Sequence, residues 1–274
     1  MTIQKIIHLA ELAGKMLMKY YKQDMTVQSK SQERFNPVTQ ADIEVDAFIR
    51  STLQKEFPHD LILSEESKDI PTKFSGRVWM VDPLDGTQQF IRQREGFSVI
   101  IGLSINGIPS QGVVYAPVRE ELYYAEKGKG AYVVKDGKKQ RIQVSNQNLF
   151  PHAMLVMKEV GTPAQPFNSF TEKLKLKIMK TDTCFALKCM SIATGEADLY
   201  IHPFFTLSKW DTCGSECILR EAGGRITDLW GKELDYTQRS LSWKDSVVLS
   251  NGKLQLEIVH RIKASGLFSK SVSK

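Results

Sequence analysis

Residues 79–90 read WMVDPLDGTQQF. A hydrophobic run, Trp79 to Val81, leads into two aspartates, Asp82 and Asp85, which flank Pro83 and Leu84. Gly86 and Thr87 lead out. A turn explains the proline and the glycine. It does not explain two acids so close together at the end of an apolar strand.

Around this stretch the chain is patterned for a large folded unit or two moderate ones. It has 274 residues, 42% of them hydrophobic and 25% charged, an ordinary soluble composition with enough apolar material for a sizeable core. The apolar runs fall far short of the roughly 20 residues that a membrane-spanning helix needs. The start, MTIQKIIHLAELAG, lacks the basic lead, long apolar block and cleavage site of a signal peptide, so a cytoplasmic protein is expected. Cys184, Cys189, Cys213 and Cys217 form no Cys-x-x-Cys pair and have no histidine cluster beside them, which argues against zinc and for free buried thiols. The net charge of +6 is spread out without interleaved aromatics, so no nucleic-acid partner is expected; attraction of a small anionic substrate is the better use of it. The basic, Ser-rich tail from Arg261 to Lys274 reads as a frayed end, with weak contact to anionic lipid at the inner face of a membrane as the alternative.

The periodicity predicts a helix over 3–20, with Ile3, Ile6, Ile7, Ala10, Ala13 and Leu17 on one face. The Asn-Pro pair in SKSQERFNPVTQAD marks a loop, and Thr39 or Asp42 starts the next helix, with Ile43, Phe48, Ile49 and Leu53 inward. DLILSEES and RVWMVD read as strands, followed by SVIIGLSING, QGVVYAPV, ELYYAEKG and GAYVVKDG, the pattern of an antiparallel sheet with short turns. A boundary falls near NQNLFPHAM, dividing an α+β half (1–146) from an α/β half (147–274). The second half alternates: helix FALKCMSIATG, strand ADLYI, helix DTCGSECILREAGG, strands RITDLWG and SVVLS, helix KLQLEIVHRIKASG.

Four acidic features carry the functional reading: Asp42, Glu65-Glu66, Asp82 with Asp85, and Asp211. Each alone has a plain explanation as a helix cap, a solvated loop or a turn former. Three of them fall at the ends of apolar strands, where α/β proteins build sites. Carboxylates meeting there repel one another unless a cation joins them, and an oxygen-only set favours Mg²⁺ or Mn²⁺ over zinc. After Asp85, DGTQQFI reads as a turn entering a helix, whose N–H groups and dipole suit a phosphate. Acids for a metal beside an anion-binding helix start are the ingredients of metal-assisted phosphoryl transfer. No Gly-x-x-x-x-Gly-Lys-[Ser/Thr] is present, which excludes a P-loop. An EF-hand loop from Asp82 fails at Leu84 and Gly86. The Asp-x-Asp of haloacid-dehalogenase-type phosphatases spaces its acids two apart; here they are three apart.

Together, DPLDGT, the upstream SEES and the downstream WDTCGSECILREAGG resemble the inositol monophosphatase superfamily of Mg²⁺-dependent, lithium-sensitive phosphatases. The resemblance spans nearly the whole chain and implies a layered αβαβα sugar-phosphatase fold. Within the superfamily, PVTQAD, LSEES, GVVYAPV, LKCMSIATGEADLY and GKELDYT are most similar to its bacterial 3′(2′),5′-bisphosphate nucleotidases, which remove the 3′-phosphate from adenosine 3′,5′-bisphosphate, a by-product of sulfate assimilation. Carried over by motif, Glu65, Asp82 and the Leu84 carbonyl would hold one Mg²⁺. Asp82, Asp85 and Asp211 would hold a second, and a third, weaker ion would lie near Glu65. Thr87, paired with Asp42, would activate the attacking water, and Glu66 would orient ligands. Glu65, Leu84, Asp85, Gly86, Thr87 and Asp211 would line the phosphate site. Lys188 matches a substrate-contacting lysine, although Phe185 replaces the serine of its Ser-x-x-Lys motif; His202 or Lys209 would stand in for a missing arginine. The residues between His202 and Lys209 contain no acid, which disfavours inositol. Inositol 1-phosphate or fructose 1,6-bisphosphate remain alternative substrates, a non-catalytic nucleotide sensor is the alternative of another class, and the protein would be a monomer or homodimer.

Overall fold

The computed structural model of the chain describes residues 3–21, 27–29, 37–67, 70, 73–158, 165–202 and 207–266. The tail expectation for 267–274 and most of the loop expected before Pro37 lie outside these residues. Helix α1 (Ile3–Tyr20) buries Ile6, Leu9, Ala10, Ala13 and Leu17, the stripe that its three-and-four spacing dictates. Strands β1 (Val27–Ser29) and β2 (Pro37–Thr39) pair antiparallel ahead of α2 (Gln40–Glu56). Thr39 is the N-cap of α2 and Asp42 its N3 partner in a capping box, so both residues named for this start contribute. The inner face of α2 differs from expectation. Ala41, Val45, Ile49 and Leu53 are buried, whereas Ile43 is 46% exposed. A spacing of four from Ala41 fixes the stripe, and Ile43 falls about 160° from Val45 and about 120° from Ile49, on the solvent side.

Strands β3 (Leu61–Ser64), β4 (Arg77–Asp85), β5 (Ser98–Ile105), β6 (Ile108–Ala116), β7 (Glu121–Glu126), β8 (Ala131–Lys135) and β9 (Lys138–Ile142) form a seven-stranded sheet in sequence order. Only β3 and β4 run parallel; the other neighbours are antiparallel, as short turns require. The polar strand β9, KKQRI, has no apolar alternation to announce it. A short helix, α3 (Thr87–Ile91), follows β4 directly.

The second half opens with β10 (Met154–Lys158), α4 (Gln165–Leu174) and β11 (Lys177–Thr181), which the sequence reading passed over. It continues with α5 (Phe185–Ala193), β12 (Leu199–Ile201), α6 (Lys209–Glu221), β13 (Arg225–Asp228), β14 (Val247–Ser250) and α7 (Gln255–Ser265), all anticipated. The five strands lie in the order β11-β10-β12-β14-β13, parallel across β11-β10-β12 and antiparallel beyond.

The layers are αβαβα. One core holds α1 and α2 against Trp79, Val81, Val99 and Ile101 on one face of the first sheet. A second holds α5 and α6 between the opposite face (Val78, Met80, Ile100, Val114) and the second sheet (Val156, Tyr200, Leu249). A third covers the outer face of the second sheet with Phe167 and Phe170 of α4 and Ile258 and Ile262 of α7. The first sheet is therefore covered on both faces, which is why RVWMV and SVIIGL are continuously apolar instead of alternating. The strands divide near residue 146, yet α5 and α6 from the second half complete the core of the first.

Candidate active site

The two acids of the opening stretch sit where β4 stops behaving as a regular strand. Its register with β5 shifts between Asp82 and Asp85, and the Leu84 N–H donates to Asp82 Oδ1 at 3.0 Å. The Pro83-Leu84 pair thus makes a local kink that folds the chain back onto the first carboxylate. Gly86 follows at φ +96°, and a Cβ there would lie 2.9 Å from Cys184 Cβ and 3.1 Å from the Gly96 carbonyl. Only glycine allows that turn and the contact with the start of α5 together. There the Ala186 N–H donates to Asp85 Oδ2 at 2.8 Å, across the seam between the halves.

Asp211 arrives on α6. Gly214, one turn further, lies against Gly102 and Gly112, with no room for a Cβ on any of the three. This glycine seam lets the helix lie directly on β5 and β6 and sets its first turn beside the end of β4. Asp211 is the N3 residue of α6, and its Oδ2 accepts the Ser208 N–H at 2.6 Å.

The charges of these acids act on one another. Burial pushes the Asp82 carboxyl well above the usual range, reinforced by the charges of Glu65, Asp85 and Asp211. Asp211 is raised by burial and then by Asp85 and Glu65. Asp85 is raised by burial, against the opposing effects of the Ala186 N–H, the Cys184 thiol and Lys188. Among the described residues, no three His, Cys, Asp or Glu side chains are placed so that they could hold a metal ion together. The donor set nonetheless fits a hard divalent cation: oxygen only, mutually repelling, and with Asp82 1% exposed. Such an ion offsets the repulsion that otherwise raises these carboxyls.

Asp42, also 1% exposed, faces the site from the first turn of α2. Its Oδ2 accepts the Thr39 N–H at 2.8 Å, and the Thr87 hydroxyl lies 3.3 Å from its Oδ1 and 3.3 Å from the Leu84 carbonyl. Glu65 and Glu66 occupy the turn after β3, half-buried, with the Glu65 N–H donating to the Val81 carbonyl at 3.2 Å. Helix α3, opening at Thr87, is five residues long, so an anion there would rely on N–H groups more than on a macrodipole.

The cations expected for substrate are more enclosed than their sequence positions suggest. Lys188 is 4% exposed, and its ammonium donates to the Thr183 and Cys184 carbonyls. Burial lowers its pKa, while Cys184 and Asp85 act the other way. Lys209 is fully buried; its ammonium donates to the Tyr236 and Gln238 carbonyls and lies 4.1 Å from the centre of the Phe74 ring. It ties α6 to the 236–238 segment and is not free to meet a phosphate. The His202 ring, beside Tyr200 and Phe185, is pushed down to about 3 by burial and by Lys188 and Lys158, so it is neutral at physiological pH. Sequence reading missed Lys158, at the end of β10, whose charge acts on both Lys188 and His202. It also missed Asp46 and Ser64, although Asp46 stands one helical turn after Asp42 and Ser64 immediately precedes Glu65.

Layered sheets and helices that gather carboxylates at a broken strand end define a phosphatase fold of the sugar-phosphatase type, and residues 2–265 match the inositol monophosphatase family, to which the chain belongs. It is 35% identical over 241 residues, 86% of this chain and 88% of the other, to a 3′(2′),5′-bisphosphate nucleotidase CysQ of Aggregatibacter actinomycetemcomitans. It is 34% identical over 236 residues, 83% and 85% of the two chains, to a histidinol-phosphatase of Mycobacterium tuberculosis. Among solved structures, the Thermotoga maritima IMPase superposes with a TM-score of 0.81 at 27% identity, covering 96% of this chain and 97% of that one. No helix among the described residues is long and apolar enough to cross a membrane.

Proposed function

We propose that this protein is a Mg²⁺-dependent phosphomonoesterase that hydrolyses the 3′-phosphate of adenosine 3′,5′-bisphosphate to AMP and phosphate. The observation that carries the reaction is the meeting of Glu65, Asp82, Asp85 and Asp211 on one another's charge beside the Asp42–Thr87 pair. Those four carboxylates, with the Leu84 carbonyl, are the ligands for Mg²⁺, or for Mn²⁺ in its place. When bound, the metal supplies charge to the phosphoryl oxygens and lowers the pKa of the attacking water. The Thr87 hydroxyl would accept a proton from that water as its own passes to Asp42 Oδ1, so that the Asp42 carboxylate ends as the proton's acceptor. The Gly86 and Thr87 N–H groups hold the phosphate, and Glu66 orients the turn that carries Glu65. Asp85 acts as a metal ligand and not as a nucleophile: the Ala186 N–H holds its Oδ2 and leaves Oδ1 to the metal. The nucleotide is supported by the relatives that carry that name and by Lys158 at the end of β10, an exposed cation that suits a second phosphate. A substrate with a single phosphate is the second reading, favoured by the histidinol-phosphatase relative and by the inward commitment of Lys209 and neutrality of His202.

A phosphate-release panel decides between them: adenosine 3′,5′-bisphosphate, inositol 1-phosphate, fructose 1,6-bisphosphate and histidinol phosphate, each with Mg²⁺, with added lithium, and with EDTA. The proposal expects the bisphosphate nucleotide to be turned over fastest, with inhibition by lithium and loss in EDTA. Equal activity in EDTA refutes the metal. Faster turnover of a monophosphate refutes the nucleotide, and tight nucleotide binding without any release refutes catalysis.

A further inference from the structure

Helix α2 carries a second buried acid on the face that presents Asp42. Asp46 lies four residues on and is 1% exposed. Its Oδ2 is held by Arg50 Nε at 2.6 Å, and its Oδ1 accepts the hydroxyl of Ser64. Ser64 is itself 2% exposed and ends β3, so its backbone leads directly into Glu65. The same hydroxyl lies 3.3 Å from the Val81 carbonyl, which also accepts the Glu65 N–H at 3.2 Å, and Val81 leads directly into Asp82. One hydroxyl, oriented by one buried carboxylate, therefore stands at the point where the Glu65 and Asp82 backbones diverge. A charged acceptor holds a hydroxyl more firmly than a neutral one, and geometry one bond behind a ligand sets where that ligand points. The same helix holds Asp42 against Thr87 one turn earlier, so α2 references the hydroxyl pair and the ligand pair to a single rigid body.

We propose that Asp46 is a positioning residue: acting through Ser64, it fixes Glu65 and Asp82 at the separation that a divalent cation requires. The inference rests on the metal-dependent reading above. It is specific to Asp46 and Ser64, neither of which touches substrate in that reading.

The test uses the full chain and measures Mg²⁺ binding directly, by calorimetric titration and by the Mg²⁺-dependent rise in Tm, beside the Mg²⁺ dependence of phosphate release. Asp46→Asn keeps the shape and removes the charge; Ser64→Ala removes one hydroxyl; Ser64→Thr restores it. Outer partners of metal ligands commonly contribute 10- to 100-fold in affinity, so D46N and S64A should each raise the half-saturating Mg²⁺ concentration about 10-fold or more. Turnover at saturating Mg²⁺ should change far less. The double variant should bind no worse than the weaker single one, because both remove the same link. S64T should bind Mg²⁺ as the unsubstituted chain does. S64A deletes a single atom, so it carries the test should D46N fail to fold. A lower Tm with unchanged Mg²⁺ affinity in S64A would show a merely structural role and overturn the proposal. Absence of Mg²⁺ binding by the unsubstituted chain would overturn the metal reading itself, and this inference with it.

Discussion

Glu216 offers a test of how this core handles charge. It lies on α6 beneath the site and is fully buried. It accepts the Tyr236 hydroxyl at 2.6 Å and pairs with Arg220 at 2.6 Å. Those contacts alone would hold its pKa below the ordinary value. Burial outweighs them and lifts it to about 7, with Arg220 opposing and Glu233 adding to the rise. Arg220 is a third exposed and also serves Glu233 at 3.5 Å, so solvent screens part of its charge. Folding therefore favours the protonated form. Between pH 4.5 and 7 the folded chain holds a proton that the unfolded chain has released, so stability falls as pH rises through that window. A shift from 4.5 to about 7, at 1.36 kcal/mol per unit, corresponds to about 3 kcal/mol. Glu216→Gln removes the titration and keeps an acceptor for Tyr236. Urea unfolding of both chains at pH 5, 6, 7 and 8 reads the effect as a difference that cancels every other titrating group. The stability of the original chain relative to E216Q should decline by roughly 2 to 3 kcal/mol from pH 5 to pH 8, the part of the shift that falls in that range. A difference that stays flat, or grows with pH, would falsify the reasoning and show that the Arg220 pair governs this carboxyl.

Two other substitutions follow from the site. Asp85→Asn should reduce Mg²⁺-dependent phosphate release by at least ~10²-fold, the loss that even an outer metal partner can produce. In EDTA the same variant should melt higher than the original chain, because one of the repelling buried carboxyls is gone; a lower Tm would contradict the repulsion. Gly112→Ala should cost about 2 kcal/mol or more in urea unfolding, since its Cβ would collide with the Gly214 backbone and lift α6 from the sheet. Unchanged stability there would mean that α6 can shift freely, against the close seam.

Much of this architecture was legible because the relevant signals are local. The stripe of α1, the Gly- and Asn-bounded strands β5 to β8, and the DPLDGT motif each occupy a short window of sequence. Polar β9 and the lysine-bearing edge strand β11 escaped, because an edge strand shows water one side and carries charge where alternation would otherwise appear. Ile43 was misassigned because apolar residues on α2 occupy more than one face, and only packing against the first sheet selects among them. The acids were legible as a set by motif, while the partners that hold them were not. Ala186 meets Asp85 from 101 residues away, and Ser64 meets Asp46 across two elements. Nor does the letter K reveal that Lys209 points into carbonyls instead of solvent.

At Asp42 and Asp211 the capping role and the proposed functional role are compatible. Each is the N3 residue of a helix, and each uses Oδ2 to accept the backbone N–H of the residue that precedes the helix, Thr39 or Ser208. The cap is therefore no rival to the site. It fixes the carboxylate at one oxygen, removes most of its rotational freedom, and leaves the other edge of the group to the site, as Asp42 Oδ1 shows by its approach to Thr87. The helix start also favours negative charge, which partly offsets the enclosure of each acid. This division predicts that the two roles separate by substitution. Asp211→Asn retains an oxygen for the Ser208 N–H and removes one of the repelling charges, so it should be no less stable than the original chain in Mg²⁺-free buffer, while losing Mg²⁺-dependent turnover. Asp211→Ala loses the cap as well, and should cost about 1 kcal/mol more. Equal urea midpoints for the two variants would mean that the Ser208 contact holds nothing in place. A D211N chain with near-normal turnover would mean that the second oxygen of Asp211 faces no metal.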